Sequence, residues 1–337
     1  MRSIKTTDLA SGMMVGREVV SSEGITLLAK DTCLTKTQID KLPSWGVQFL
    51  CINDGMNAKA GFMEKYEEVI EAVEQFFETV RQSGQIPIME MHELVDQIIS
   101  PLINITGVLD YLYEVKLHSN YTFQHSVHVA VITGIFSRWL NYSGDEYRNL
   151  VIAGLLHDIG KISVPLSILN KPGKLLDSEF SIIKKHSEAG YKLFKESDEI
   201  SEGMKMGVLQ HHERIDGSGY PFGVQGSEIH AYAKIIAVAD IYDAMTSDRV
   251  YHRKRTPFAV MEVIKEEMHN KLDASICLPI LTNMQNYFIG SDVLLSNGQK
   301  ANIIAMTFQA CMTPMVLTYE GLFLDLRTEN IRIVDLI

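Results

Sequence analysis

A histidine and an aspartate stand side by side at the end of an apolar segment, His157 and Asp158, and few folds can accept such a pair. Burying adjacent imidazole and carboxylate groups is costly unless a cation or several hydrogen-bond donors meet them. A second adjacent pair, His211 and His212, answers the first. Imidazole nitrogen and carboxylate oxygen are the usual ligands of zinc, iron and manganese. The chain therefore reads as a metal site with scaffolding on either side.

Seven residues make the candidate ligand set: His125, His157, Asp158, His186, His211, His212 and Asp240. A lone histidine is more often an ordinary core or surface residue. His92, His118, His128, His230 and His269 are left in that class. The seven differ in their apolar settings. His125 opens the apolar helix predicted over residues 126–140, and His157 with Asp158 closes the one over 147–156. Asp240 sits within 235–245, otherwise mostly Ile, Ala, Val and Met, where a carboxylate needs a cation or several donors. A carboxylate has two oxygens, which suits Asp158 to a position shared between two cations. His125, His157 and Asp240 then serve one ion, and His186, His211 and His212 its neighbour. Two ions about 3.5–4 Å apart can clamp the attacking and leaving oxygens of an in-line phosphoryl displacement. So many histidines disfavour magnesium and calcium, which prefer oxygen ligands. Two divalent transition-metal ions are expected, iron or manganese ahead of zinc.

The net charge of −11 argues against broad binding to duplex nucleic acid, which needs a basic surface. The densest basic run is Arg249, His252, Arg253, Lys254 and Arg255, a candidate dock for an anionic substrate. Cys33, Cys51, Cys277 and Cys311 form no Cys-x-x-Cys pair, so neither a zinc ribbon nor a disulfide framework is indicated. The N-terminus lacks the apolar core of a signal peptide. No apolar run approaches the roughly 20 residues of a membrane span. The expectation is a cytoplasmic protein without membrane insertion.

Its 337 residues suggest more than one unit. Residues 1–55 read as a small α/β module: a strand over 13–20, a second apolar run over 25–29, a short helix after Thr35 and a strand over 47–52. Residues 56–107 read as an amphipathic helical linker. There Phe62, Tyr66, Val69, Val73, Phe76 and Val80 recur at alternating spacings of four and three, a stripe fit for an internal core or a homodimer seam over 62–80. Residues 108–288 read as a helical bundle. Residues 289–337 read as a small β domain with an Asn297-Gly298 hairpin turn. The fold class is mainly α, with small α/β and all-β modules at the two ends.

The motifs also carry a specific resemblance. His-Asp-Ile-Gly-Lys at 157–161, followed by His-His-Glu-Arg-Ile-Asp-Gly-Ser-Gly-Tyr-Pro at 211–221, resembles the HD-GYP family of cyclic-dinucleotide phosphodiesterases. The similarity runs over roughly 108–285 and takes in Tyr-Thr-Phe-Gln-His at 121–125, Lys-Lys-His at 184–186 and the segment 238–249. It implies an HD-type helical bundle and a metal site built from the seven ligands above. The implied reaction is hydrolysis of cyclic di-GMP to linear pGpG, and in some members onward to GMP, in bacterial second-messenger signalling. By position, Asp158 and Lys161 are implied to be catalytic, with Lys161 on a phosphate or leaving oxygen. Tyr220 and Arg249 are implied as substrate contacts; Arg253, from the basic run, is a further candidate, and Asp243, one turn beyond Asp240, accepts from a guanine edge or else pairs with Arg249. Tyr121 stands where some relatives carry a glutamate that helps hold a third metal. That departure favours two ions and puts the second cut in question. The alternatives are a hydrolase of cyclic GMP-AMP, a phosphohydrolase of mononucleotides or alarmones, and a non-catalytic cyclic-dinucleotide receptor acting through signalling proteins.

Overall fold

The computed structural model describes residues 2–9, 13–21, 26–30, 32, 34–53, 55–105, 107–115, 121–169, 171, 173–248, 254–307 and 313–337. The chain divides into two compact units, Met1–Met63 with Leu281–Ile337, and Glu64–Ile280. The divisions at 55/56, 107/108 and 288/289 expected from sequence are displaced. The helices from residue 64 to residue 280 belong to the helical unit, and the two terminal modules cluster together with the end of the last helix.

In the terminal unit, β1 (Arg2–Lys5), β5 (Phe49–Asn53) and β2 (Met14–Val15) form a three-stranded antiparallel sheet in the order β1-β5-β2. The short strands β3 (Val19–Val20) and β4 (Thr26–Leu28) pair separately. The single strand expected over 13–20 is thus two strands in two sheets. The chain bends at Gly16, whose N–H is drawn to the Cys51 carbonyl at 2.7 Å. Helix α1 (Lys36–Lys41) starts where Thr35 and Gln38 complete a reciprocal cap. Val15, Leu28, Leu34, Leu42, Leu50 and Ile52 form the core between these pieces. The C-terminal sheet comprises β6 (Asp292–Leu295), β7 (Lys300–Ala305), β8 (Met315–Thr318), β9 (Phe323–Asp325) and β10 (Ile333–Leu336). Its order is β10-β6-β7-β8-β9, antiparallel throughout. Val293, Leu295, Ala301, Ile303 and Val316 alternate inward, the period of a sheet with one buried face.

The helical unit takes most of α2 (Gly55–Ser83), then α3 (Ile88–Glu93), a π-helical segment at Leu94–Ile99, α4 (Ser100–Ile103) and α5 (Val108–Glu114). The six residues of the α2 stripe are all at most 5% exposed within the single chain. That burial corrects the homodimer-seam reading, because this face is already covered. The centre of the unit is α6 (Tyr121–Trp139), with every residue from Gln124 to Ser137 buried. A helix apolar on all sides must be surrounded. It packs on α7 (Gly144–Leu156) and α12 (Ala231–Thr246). The short α8 (Leu166–Leu169) and α9 (Asp177–Lys184) lead to α10 (His186–Phe194) and α11 (Glu202–Gln210), and α11 joins α10 to α7 and α12. The helices close with α13 (Pro257–Glu267) and α14 (Ala274–Phe288). Among the described residues, no helix is long and apolar enough to cross a membrane.

Candidate metal centre

The helices of this unit present the seven expected ligands from their ends and inner faces. His125 lies in the first turns of α6, His157 follows α7, and His186 begins α10. His211 follows α11, and Asp240 projects from α12. Five of the seven are at most 3% exposed, the exceptions being His212 and Asp240, with side chains 19% and 14% exposed.

Three of these histidines are oriented by the same device. His157 Nδ1 meets the Gly154 carbonyl, His186 Nδ1 that of Ile183, and His211 Nδ1 that of Val208, each at 2.8 Å. A carbonyl only accepts, so Nδ1 carries the proton and Nε2 keeps its lone pair facing inward. All three bonds reach back three residues, to a carbonyl left over at a helix end. Burial pushes His212 down to about 3 and His211 well below its ordinary value, so both stay neutral.

Asp158 stands at the middle. Its Oδ2 faces His157 Nε2 at 3.3 Å and His125 Nε2 at 3.6 Å, while its Oδ1 faces His186 Nε2 at 3.1 Å and His211 Nε2 at 4.0 Å. Each oxygen thus addresses one half of the ligand set. Two groups emerge, His125 with His157 and Asp158, and Asp158 with His186, His211 and His212. Asp240 spans both, with Oδ1 3.2 Å from His125 Nε2 and Oδ2 3.9 Å from His212 Nδ1. Lys161 ion-pairs with Asp158 Oδ2. Burial alone would raise the carboxyls of Asp158 and Asp240. Lys161 and His157 outweigh it at Asp158, His125 at Asp240, and both stay well below the usual carboxylate range.

The donor set fits divalent metal ions. Among the described residues, His157 Nε2 and Asp158 Oδ1 are buried with no hydrogen-bond partner, and the Nε2 atoms of His186 and His211 lie 3.2 Å apart. Buried lone pairs converging without a proton between them call for a cation. Cations there would draw on imidazole nitrogens and shared carboxylate oxygens, a set suited to iron, manganese or zinc.

The turn carrying His157 and Asp158 continues as a 3-10 segment, Ile159–Ser163, against α10. A Cβ on Gly160 would lie 1.9 Å from the His186 carbonyl oxygen, so only glycine allows this approach. The loop after His212 folds back in a similar way. Gly219 would meet the His212 carbonyl at 2.5 Å if it carried a Cβ, and Gly217 has φ +80°. Glu213 Oε1 accepts from the N–H groups of Phe222 and Gly223 at 2.7 and 3.2 Å. The loop so fixed seats the half-buried Tyr220 ring on His212, centroids 4.5 Å apart. Lys184 Nζ lies over the other part of this rim, 5.2 Å from the Tyr220 ring and 4.9 Å from Phe180.

Asp243 departs from expectation. It is 2% exposed, Oδ2 accepting from His125 Nδ1 at 2.6 Å and Oδ1 from His128 Nδ1 at 2.7 Å and Ser247 Oγ at 2.9 Å. Buried and engaged at both oxygens, it orients His125 and offers no edge to a guanine. Burial alone would raise its carboxyl, but His128 and His125 hold it well below the usual range. Burial would likewise lower His125, which the bonds to Asp240 and Asp243 instead raise to about 9. The partner of Asp243 proves to be His128, set aside on sequence. The spacing 125/128 on one helix and 240/243 on another, both three apart, was its available signal. Tyr121 stacks on His125, rings 5.7 Å apart and within 8° of parallel. Of the basic run, Lys254 is held by the Tyr113 carbonyl at 2.9 Å, while Arg249 and Arg253 lie outside the described residues.

The HD domain family matches residues 114–276. The chain is 34% identical over 250 residues to a cyclic di-GMP phosphodiesterase of Pseudomonas aeruginosa, an alignment covering 74% of this chain and 60% of that protein. It is 35% identical over 207 residues to a 3′3′-cGAMP-specific phosphodiesterase of Vibrio cholerae, covering 60% of this chain and 46% of that protein. In both cases it spans less than two thirds of the relative's own length. An HDG"Y"P protein from Bdellovibrio bacteriovorus shares the fold, with a TM-score of 0.55 at 14% identity over 84% of this chain and 98% of that one.

Proposed function

The chain belongs to the HD domain family through residues 114–276, and we propose that this domain is a metal-dependent phosphodiesterase that hydrolyses cyclic di-GMP. The observation that carries the reading is Asp158, whose buried carboxylate stands between His125 with His157 on one side and His186, His211 and His212 on the other. The likeness to the Pseudomonas enzyme supports the substrate.

Two divalent ions, iron or manganese ahead of zinc, would be held by His125, His157, Asp240 and Asp158 on one side and His186, His211, His212 and Asp158 on the other. When bound, such ions polarise a phosphodiester and lower the pKa of the attacking water. The chain's own groups do the rest. Lys161 keeps its ammonium beside the shared carboxylate, where it can hold a non-bridging phosphate oxygen or steady the leaving 3′-oxygen. Tyr220, fixed on His212 by the glycine-rich loop, shapes the rim and contacts a phosphate. Arg249 and Arg253 remain proposed phosphate contacts. Tyr121 supplies an aromatic face at His125 where a carboxylate would serve a third ion, which favours two ions and the linear dinucleotide pGpG as the principal product. The reaction is placed in the cytoplasm, with signalling proteins as partners.

A preference for cyclic GMP-AMP is the second reading, favoured by the similarity to the Vibrio enzyme. Incubation with cyclic di-GMP, 3′3′-cGAMP and mononucleotides, followed by chromatography of products, tests the proposal. Turnover of cyclic di-GMP to pGpG supports it, and faster turnover of the mixed ring moves the substrate. A bound ring that is never cleaved would make the chain a receptor instead.

A further inference from the structure

Behind the ligand His125 runs a buried chain of hydrogen bonds that ends outside the matched HD domain. His125 Nδ1 bonds Asp243 Oδ2 at 2.6 Å, and Asp243 Oδ1 bonds His128 Nδ1 at 2.7 Å. His128 Nε2 then meets the Tyr66 hydroxyl at 2.8 Å. All four side chains are at most 3% exposed. Tyr66 lies on α2, while the family match begins at residue 114.

The donors run in one direction. A carboxylate only accepts, so both Nδ1 atoms carry hydrogen towards Asp243. His128 with its hydrogen on Nδ1 has a lone pair on Nε2, which accepts from the Tyr66 hydroxyl. His125 with its hydrogen on Nδ1 has Nε2 left to face Asp158 and Asp240. One carboxylate therefore sets the tautomer and ring plane of two histidines, and Tyr66 fixes the second. Ligating histidines are commonly oriented by a carboxylate on the far ring nitrogen. Here that carboxylate is itself positioned by a histidine and a phenol contributed by a different helix.

We infer that Tyr66 and His128 are positioning residues of the metal centre, holding Asp243 so that His125 Nε2 is presented to the ion, and that α2 thereby reaches the site from outside the HD domain. The inference rests on His125 being a metal ligand. It makes α2 a structural input to the centre: displacement of Tyr66 loosens His128, then Asp243, which keeps only Ser247 Oγ on that oxygen, then the His125 ring.

The test uses the full chain and manganese alone, with affinity read by competition against a chelator. The variants are Tyr66→Phe, His128→Leu and His128→Gln. The amide of His128→Gln can donate to Asp243 and accept from Tyr66, whereas leucine can do neither. Loss of a supporting group of this kind typically weakens metal binding by about 10- to 100-fold. His128→Leu is expected within that range, Tyr66→Phe at or just below its lower end, and His128→Gln close to wild type. In turnover, kcat falls in the weakened variants while KM is unchanged, since neither residue touches substrate. If Tyr66→Phe and His128→Leu bind manganese as wild type does and lose only melting temperature, the chain is packing and the inference fails. Should His128→Leu not fold, Tyr66→Phe against wild type decides alone. Because affinity is read without substrate, a wild-type protein that cleaves no cyclic dinucleotide would refute the proposed reaction and leave this result standing.

Discussion

Gly160→Ala is the sharpest perturbation of the site, because it moves ligands without removing one. An alanine Cβ there would sit 1.9 Å from the His186 carbonyl oxygen and 2.5 Å from the Gly190 nitrogen, whereas real Cβ contacts essentially never fall under 3.0 Å. Both obstacles are backbone, so no rotamer change relieves them. The turn at Ile159–Ser163 and α10 must part by about 1.1 Å, the difference between those two distances at His186. His186 begins α10 and its Nε2 lies 3.1 Å from Asp158 Oδ1, so the same movement opens that approach. Metal–ligand distances tolerate only about 0.2 Å. Displacements near 1 Å at an active site can cost on the order of 10²-fold in rate. Overpacking costs about 1–3 kcal/mol, which a chain of this size survives folded. The expected result is a cooperative melt at lower temperature, loss of metal from the His186 side, and turnover of cyclic di-GMP down on the order of 10²-fold. Gly61→Ala is the control. Nothing lies within 4 Å of its Cβ, and alanine within a helix gains roughly 0.5–1 kcal/mol over glycine. Wild-type metal content and turnover in Gly160→Ala would refute the claim that this contact sets the centre.

Other outcomes follow from the same geometry. His157→Ala and Asp158→Ala should abolish hydrolysis while circular dichroism stays helical, and residual turnover in a metal-depleted Asp158→Ala protein would sink the scheme. Metal binding should release protons. His125, raised to about 9, carries one on Nε2 at neutral pH and must give it up to act as a ligand, so apparent affinity rises with pH up to about 9. Calorimetry in buffers of differing ionisation enthalpy measures the release, and equal heats in all of them would contradict it. Thr35→Ala removes the reciprocal cap of α1 and should cost about 1 kcal/mol of stability with no change in turnover. An unchanged melting temperature would show the cap to be dispensable.

That these histidines and aspartates gather at one place was legible because adjacent histidine and acid residues at the ends of apolar helices have no cheaper use than a cation. The support behind it was not. His128 looks like any core histidine, and its role appears only when α6 and α12 bring it to Asp243, 115 residues away in sequence. Asp243 itself was read as accepting from a guanine edge or pairing with Arg249, since one helical turn beyond Asp240 is compatible with either direction until burial is known. The C-terminal β region could be read from sequence with its Asn297-Gly298 turn, which joins β6 to β7. The split of residues 13–20 into two strands could not, because it depends on which other strand each half pairs with, β2 with β5 and β3 with β4. The α2 stripe announced its burial but not its partner, which proved to be the chain's own core.

The measurement that bears most directly on the account is an anaerobic titration of metal-free protein with manganese or iron, following bound metal and cyclic di-GMP hydrolysis together. Two ligand sets sharing Asp158 predict that turnover appears with the second ion per chain, and that Asp158→Ala shows neither the second ion nor turnover. Full activity at one ion per chain, or activity indifferent to metal, would contradict it.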